Sequence, residues 1–365
     1  MTGLPELADA ARKAASDGLV TGRTAAPTRE QAVPAAEAAD SARPRIGLVL
    51  SGGGAKGAYH IGVVEYLATI GTRVHAIAGA SIGALNGAIL ASSGSLSEGT
   101  AKLAAVWDEV AELASSAKST GPEDVVGGEA QEETTLEQLA LLLPRLSGPV
   151  VHPSYLERLV STHIDLDRLS DGIPLWVSAF PAVEEVDILR SWSWTIDVVR
   201  SRLGARSEWL HVNALPRHER HQAVLASAAL PVILPPRRVN GRLFRDGGIA
   251  DNTPAGALAL HARCDMVIVV HLTDGVLWDA HDFPGLGIVE IRPHKRLSPP
   301  GPIGGATALV DFSPQRLRRL RAQGFRDAQL ILEPLRTMLS RLDGMRTAEG
   351  LMLDAVARLL EPDAG

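Results

Sequence analysis

Cysteine is almost missing from the chain: Cys264 is the only one in 365 residues. That excludes an internal disulfide framework and a zinc site built from cysteines, and it suits a reducing compartment. Long apolar runs are missing too. The first 42 residues lack the continuous apolar stretch of a secretory signal, and no later run approaches the ~20 apolar residues of a spanning helix. Charge of one sign is scarce, since 36 Lys and Arg stand against 42 Asp and Glu, a net of -6. Nothing in that balance points to nucleic acid as a partner. Neither a His-Glu-x-x-His pattern nor an internal repeat is present. These absences lead us to expect a globular, soluble, cytoplasmic chain with a core large enough for one large or two ordinary domains.

Residues 1–43 are rich in Ala, Thr and charge, with scattered prolines and no sustained alternation, and read as a disordered tail. Order is expected from about Arg45. Ile46 to Leu50 reads as a buried strand, Ala58 to Ile70 as a helix, and Val74 to Ala78 as a second strand. A helix around Ala101 to Leu113 precedes a polar, glycine-containing stretch, 115–133, expected as a surface insertion, after which Leu136 to Leu143 is helical again. Further strands are expected at 173–180, 208–215 and 264–272. A hairpin or loop carrying Trp192 and Trp194 lies between the first two, and a helix from Arg217 is stopped by Pro231. Strands alternating with helices predict an α/β fold, a mainly parallel sheet covered on both faces. The catalytic domain is expected over 44–330, followed by a helical extension over 331–365.

Two glycine clusters carry the chemistry. "GASIG" places Gly79, Ser81 and Gly83 in a G-x-S-x-G pattern directly after a strand and before a helix, the context of a nucleophile elbow. Residues beside the nucleophile must be small there, and the hydroxyl sits at the positive end of the following helix. "SGGGAKG" puts Gly52, Gly53 and Gly54 where successive amides can face a developing oxyanion, with Lys56 adding positive charge. The base candidate is Asp246, at the end of a short strand, with Gly247 and Gly248 allowing a tight approach. Each motif alone also has a plain turn reading. Gly52, Gly54 and Gly57 fit the dinucleotide spacing as well, but Ile77, Ala78 and Gly79 stand where its acidic residue is required, about twenty positions on. The Walker pattern is absent. No nucleotide and no other cofactor is expected.

Taken together, "GGGAKG" at 52–57, "GASIG" at 79–83 and "DGG" at 246–248, with "ASAALPVILPP" from Ala226, resemble the patatin-like phospholipases. The resemblance runs from about Ile46 to Val270 and more faintly through the stretch from Asp311. It implies a three-layer α/β/α fold, Ser81 as nucleophile, Asp246 as its partner in a serine-aspartate dyad, the glycine loop as oxyanion hole, and acyl esters of phospholipids or lysophospholipids as substrates. No metal is called for. The T-D-x-x-T-G type of motif found in relatives is missing after "VSAF", and 183–207 is peculiar to this chain.

The alternatives are an esterase or thioesterase on soluble acyl compounds, and a catalytically silent lipid-binding protein. His60, His218 and His221 take core or surface roles in this reading. Residues 292–326 hold eight Lys or Arg against the single acid Asp311. That stretch is either a solvated face or a peripheral contact with anionic membrane.

Overall fold

The computed structural model describes residues 44–116, 149–183, 197, 200–231, 233–273 and 278–360. The expected tail, the helix at 136–143, the Trp192 and Trp194 hairpin and nearly all of the insertion lie outside those residues. What is described belongs to one compact unit, residues 44–365.

Its centre is an eight-stranded sheet in the order β5-β6-β3-β2-β1-β7-β8, with β4 pairing β3 off that path. The strands are β1 (Ile46–Leu50), β2 (Ala76–Ala80), β3 (Leu175–Pro181), β4 (Glu208–His211), β5 (Arg237–Val239), β6 (Arg242–Asp246), β7 (Met266–Val270) and β8 (Gly287–Ile291). The run β3-β2-β1-β7-β8 is parallel, while β4 and β6 share the outer edge of β3 in antiparallel pairing. The central parallel strands β1, β2, β3 and β7 are buried on both faces, which is why they read as continuous apolar runs, while the edge strand β8 is mostly half-buried.

Successive side chains divide between those faces. Leu48, Leu50 and Ile77 enter the larger core, and Val49, Ala76 and Ala78 the smaller one. The larger core is covered by α1 (Ala58–Thr69), α2 (Ile82–Ala91), α3 (Leu96–Ser116), α4 (Pro153–His163) and α5 (Arg217–Ser227). The smaller is closed by α6 (Ala255–Leu260) with Trp209 and Phe283. The fold is therefore the expected three-layer sandwich, with its helices unevenly shared.

After α7 (Gly301–Val310), one continuous helix, α8, runs from Pro314 to Leu360. It packs on α1, tied by Tyr59 Oη to Asp327 (3.0 Å), Tyr66 Oη to Glu333 (2.6 Å) and the Arg321–Glu65 pair. The domain boundary expected at residue 330 falls inside this helix. Of the basic residues in 292–326, Arg292 pairs with Glu290, Arg316 with Asp311 and Arg321 with Glu65. The surface is accordingly less cationic than a count along the sequence implies. Among the described residues, no helix is long and apolar enough to cross a membrane.

Candidate active site

The strand order reverses its winding between β1 and β7, and a crevice opens beyond the carboxyl ends of the strands at such a point. β1 ends at Leu50 and delivers Ser51 to Gly54 there. β2 ends at Ala80 and delivers Ser81, which caps α2 with φ 54 and ψ -123. A left-handed, non-glycine residue between strand and helix is the strained geometry of an elbow. Its flanking glycines follow from contact distances: a Cβ on Gly79 would stand 2.4 Å from Gly83 O, and one on Gly83 would stand 2.0 Å from Leu50 O.

Asp246 ends β6 opposite Ala179 of β3, and its amide donates to Ala229 O at 3.1 Å. Its Oδ1 accepts the Gly248 amide at 2.8 Å, while Oδ2 is buried with no hydrogen-bond partner. The Ser81 hydroxyl is near enough to favour the charged carboxylate without closing a full bond to it. Burial dominates and pushes the Asp246 carboxyl up to about 7.

One cavity of about 490 Å³ gathers the residues proposed from the sequence: Gly52, Gly53, Gly54, Lys56, Ser81, Asp246 and Gly248 all line it. Gly79, Gly83 and Gly247 are in the turns behind. The three loop glycines are not equivalent. The Gly52 amide donates to Asn252 O at 3.3 Å, whereas the Gly53 and Gly54 amides have no backbone acceptor among the described residues.

Several further residues support these groups. Asn252 stitches the two loops together: besides its carbonyl, its Nδ2 donates to Gly52 O at 3.3 Å, and Thr253 Oγ1 meets Ser51 Oγ at 3.0 Å. Ser227 Oγ accepts the Ser81 amide at 3.1 Å. His271, just past β7, lines the cavity too, 3.3 Å from Glu290 but off the line of a hydrogen bond. Burial lowers His271 to about 4, and burial lowers His60 to about 3. His60 is fully buried on the inner face of α1, with Nδ1 3.2 Å from Asn86 Nδ2, a core position.

A second, narrow cavity of about 70 Å³ opens at Ser81 on the other side, between α2, α3 and α4. Its walls are almost wholly aliphatic and aromatic. The polar groups of Asn86 and Trp107 there are bonded to each other at 3.0 Å, so they do not interrupt the apolar surface.

The family model described as "Patatin-like phospholipase" matches residues 48–259, and the chain belongs to that family. An uncharacterized NTE family protein of Mycobacterium tuberculosis is 29% identical over 242 residues, which is 66% of this chain and 53% of that protein. The lysophospholipase NTE1 of Cryptococcus neoformans is 25% identical over 232 residues, 62% of this chain and 11% of that protein. The chain spans about half the length of the mycobacterial relatives. Among solved structures, VipD from Legionella pneumophila aligns over 80% of this chain and 67% of its own at 14% identity and TM-score 0.38. Human GIVD cytosolic phospholipase A2 aligns over 81% and 60% at 13% identity and TM-score 0.37.

Proposed function

We propose that this protein is a serine acyl hydrolase acting on lipid acyl esters, with phospholipids or lysophospholipids as the substrate class. The observation that carries the reading is one cavity joining a strained Ser81 at a helix N-terminus, the partnerless Asp246 Oδ2 and the two available amides of Gly53 and Gly54. Ser81 Oγ attacks the acyl carbonyl and passes its proton to Asp246. The carbonyl oxygen becomes an oxyanion facing the loop amides and the positive end of α2. Collapse expels the alcohol or lysolipid, which takes the proton back from Asp246, and leaves Ser81 acylated. Water then attacks the acyl carbon, gives its proton to Asp246, and the fatty acid departs as Ser81 is reprotonated.

A carboxylate is a weak base in water. Here desolvation raises Asp246 to about 7, which matches its basicity to neutral pH. The two cavities divide the substrate, with the narrow apolar one suited to the acyl chain and the wide one to the leaving group. A silent lipid-binding role is disfavoured because such a protein has no use for a strained serine facing an unbonded carboxylate. Lipid profiling of a bacterial-type lipid extract incubated with wild type and with Ser81→Ala tests the reading. Loss of specific acyl esters with wild type only is expected; identical profiles, or fluorophosphonate labelling at another serine alone, would refute it.

A further inference from the structure

We infer that residues 197–207 position the base: Asp197 and Ser207 hold the two residues flanking Asp246, and Asp197 cancels the charge of a buried arginine one residue from that carboxylate. This rests on the reading of Asp246 as base, and it gives the stretch 183–207 a role that no motif supplies. Asp197 is wholly buried and accepts hydrogen bonds from Arg245 Nε at 2.9 Å, Arg200 Nη1 at 3.1 Å and the Val183 amide at 3.2 Å. Arg200 also donates to Pro181 O at 2.9 Å, so the carboxylate ties the end of β3 to β6, its antiparallel neighbour. On the other flank, Ser207 Oγ donates to Gly247 O at 2.8 Å. Gly247 already lies tight against β3, since a Cβ there would stand 2.2 Å from Ser178 O.

These holds matter because the carboxylate has little else to fix it. Its Oδ1 accepts the Gly248 amide and its Oδ2 has no hydrogen-bond partner, so its place follows from the backbone on either side. Charge matters as well. Successive side chains of a strand point to opposite faces, so Arg245, 4% exposed, projects away from the cavity that Asp246 lines. A guanidinium stays charged there. Roughly 10 Å from Asp246, at an effective dielectric of about 20, an uncompensated one would favour the ionised carboxylate by about one pH unit and make it a weaker base. Asp197 removes that field. The other charged or titratable groups around Asp246 are Lys56, Asp251 and His271, which line the same cavity. Asp251 is held by Trp209 Nε1 at 2.7 Å and the Thr253 amide at 3.2 Å, and burial keeps His271 neutral near pH 7. All three are unchanged in the variants that test the pair.

The test is the pH dependence of kcat/KM for p-nitrophenyl butyrate with wild type, Asp197→Asn, Arg245→Gln and the double variant. Asp197→Asn leaves Arg245 uncompensated and should lower the acidic limb by about one pH unit. Arg245→Gln keeps a donor to Asp197, which also retains Arg200, and should raise the limb; the double variant should return it to the wild-type position. Ser207→Ala should lower kcat about tenfold with the limb unmoved, and Ser207→Thr, which keeps the hydroxyl, should restore it. Urea denaturation reads the same proton without turnover. The stability gap between each protein and the same protein carrying Asp246→Asn levels off at the pH where Asp246 ionises in the folded state, and that pH should move with the limb. Circular dichroism establishes folding, and if Asp197→Asn does not fold, Arg245→Gln decides the matter. If the levelling pH moves while the limb does not, or while hydrolysis is absent, the base reading fails and the charge pairing stands. Folded single variants that leave the levelling pH in place, or move it in the same direction, overturn the inference, as does a Ser207→Ala protein with wild-type kcat.

Discussion

Replacing Asp246 by Asn changes stability as well as turnover, and the two can be separated. The carboxyl is 2% exposed and is pushed from an ordinary 3.8 to about 7, chiefly by burial. Between those values the folded protein keeps a proton that the unfolded chain gives up. This group's contribution therefore makes the native state less stable as pH rises from ~4 to ~7. At ~1.4 kcal/mol per pH unit, the full gap amounts to ~4 kcal/mol as an upper bound, and about 2–4 kcal/mol is expected. His60 and His271 act in the opposite sense. Their folded values near 3 and 4 lie below the ordinary 6.5, so their share of stability is lost as pH falls through ~6 toward ~3. The wild-type curve mixes both trends, but the difference between variant and wild type isolates Asp246. Asn has the same shape and no charge. Its amide protons replace an oxygen that has no partner, a pH-independent cost of about 1–3 kcal/mol. Urea denaturation followed by tryptophan fluorescence, stepped from about pH 4 to about pH 8, should show the variant gaining about 2–4 kcal/mol on wild type across that range. A difference that stays level with pH would refute a buried, proton-holding Asp246, whatever the variant does to activity.

Three further outcomes follow from the same geometry. The acidic limb of the wild-type rate profile should lie near pH 7 and belong to Asp246, since it must lose its proton to act as base. His60→Gln and His271→Gln, both at groups already neutral there, should leave the limb in place, and a limb that moves with either would reassign the base. Ser81→Gly should lose hydrolysis yet unfold at a higher temperature, because φ 54 is a conformation glycine adopts freely; relief of about 1 kcal/mol is expected. A lower melting temperature in that variant would count against elbow strain. The neighbouring loop glycines should respond differently. Gly53→Ala meets side chains alone, Leu272 at 2.9 and 3.0 Å and Lys56 Cε at 3.1 Å, and should stay folded with turnover reduced about a hundredfold. Gly54→Ala combines φ +56 with Leu309 O at 2.2 Å and should lose stability and activity together. Equal melting temperatures for the pair would undo that distinction.

What could be read in advance was what is local. Strand, glycine turn and helix are adjacent in the chain at 46–69 and 76–91, so both the loop and the elbow were legible from spacing alone, and Asp246 from its place after a short strand. Errors at element ends have local causes too. The strand expected over 208–215 stops at His211, because Asn213 turns its amide to the Leu175 N–H (2.7 Å) and the Leu169 carbonyl (2.6 Å). The one expected from Val74 begins at Ala76, where pairing with Gly47 starts.

The rest depends on contacts between residues far apart in sequence. Three successive glycines look like three equivalent donors until Asn252, 200 residues later, takes the Gly52 amide. Ser227 supports the Ser81 amide across 146 residues; it lies in the segment from Ala226 that carries the resemblance, but the contact itself cannot be read from that segment. The narrow pocket is assembled from α2, α3, α4, Val150 and Val151, whose aliphatic side chains read as ordinary core because most of their surface is core. The basicity of Asp246 is hidden for the same reason. An aspartate followed by two glycines has an ordinary carboxyl in any isolated peptide, and only the burial supplied by the surrounding fold lifts it to about 7. Motif spacing therefore picks out the candidate residues, while the acid strength of Asp246 is a property of the packed interior.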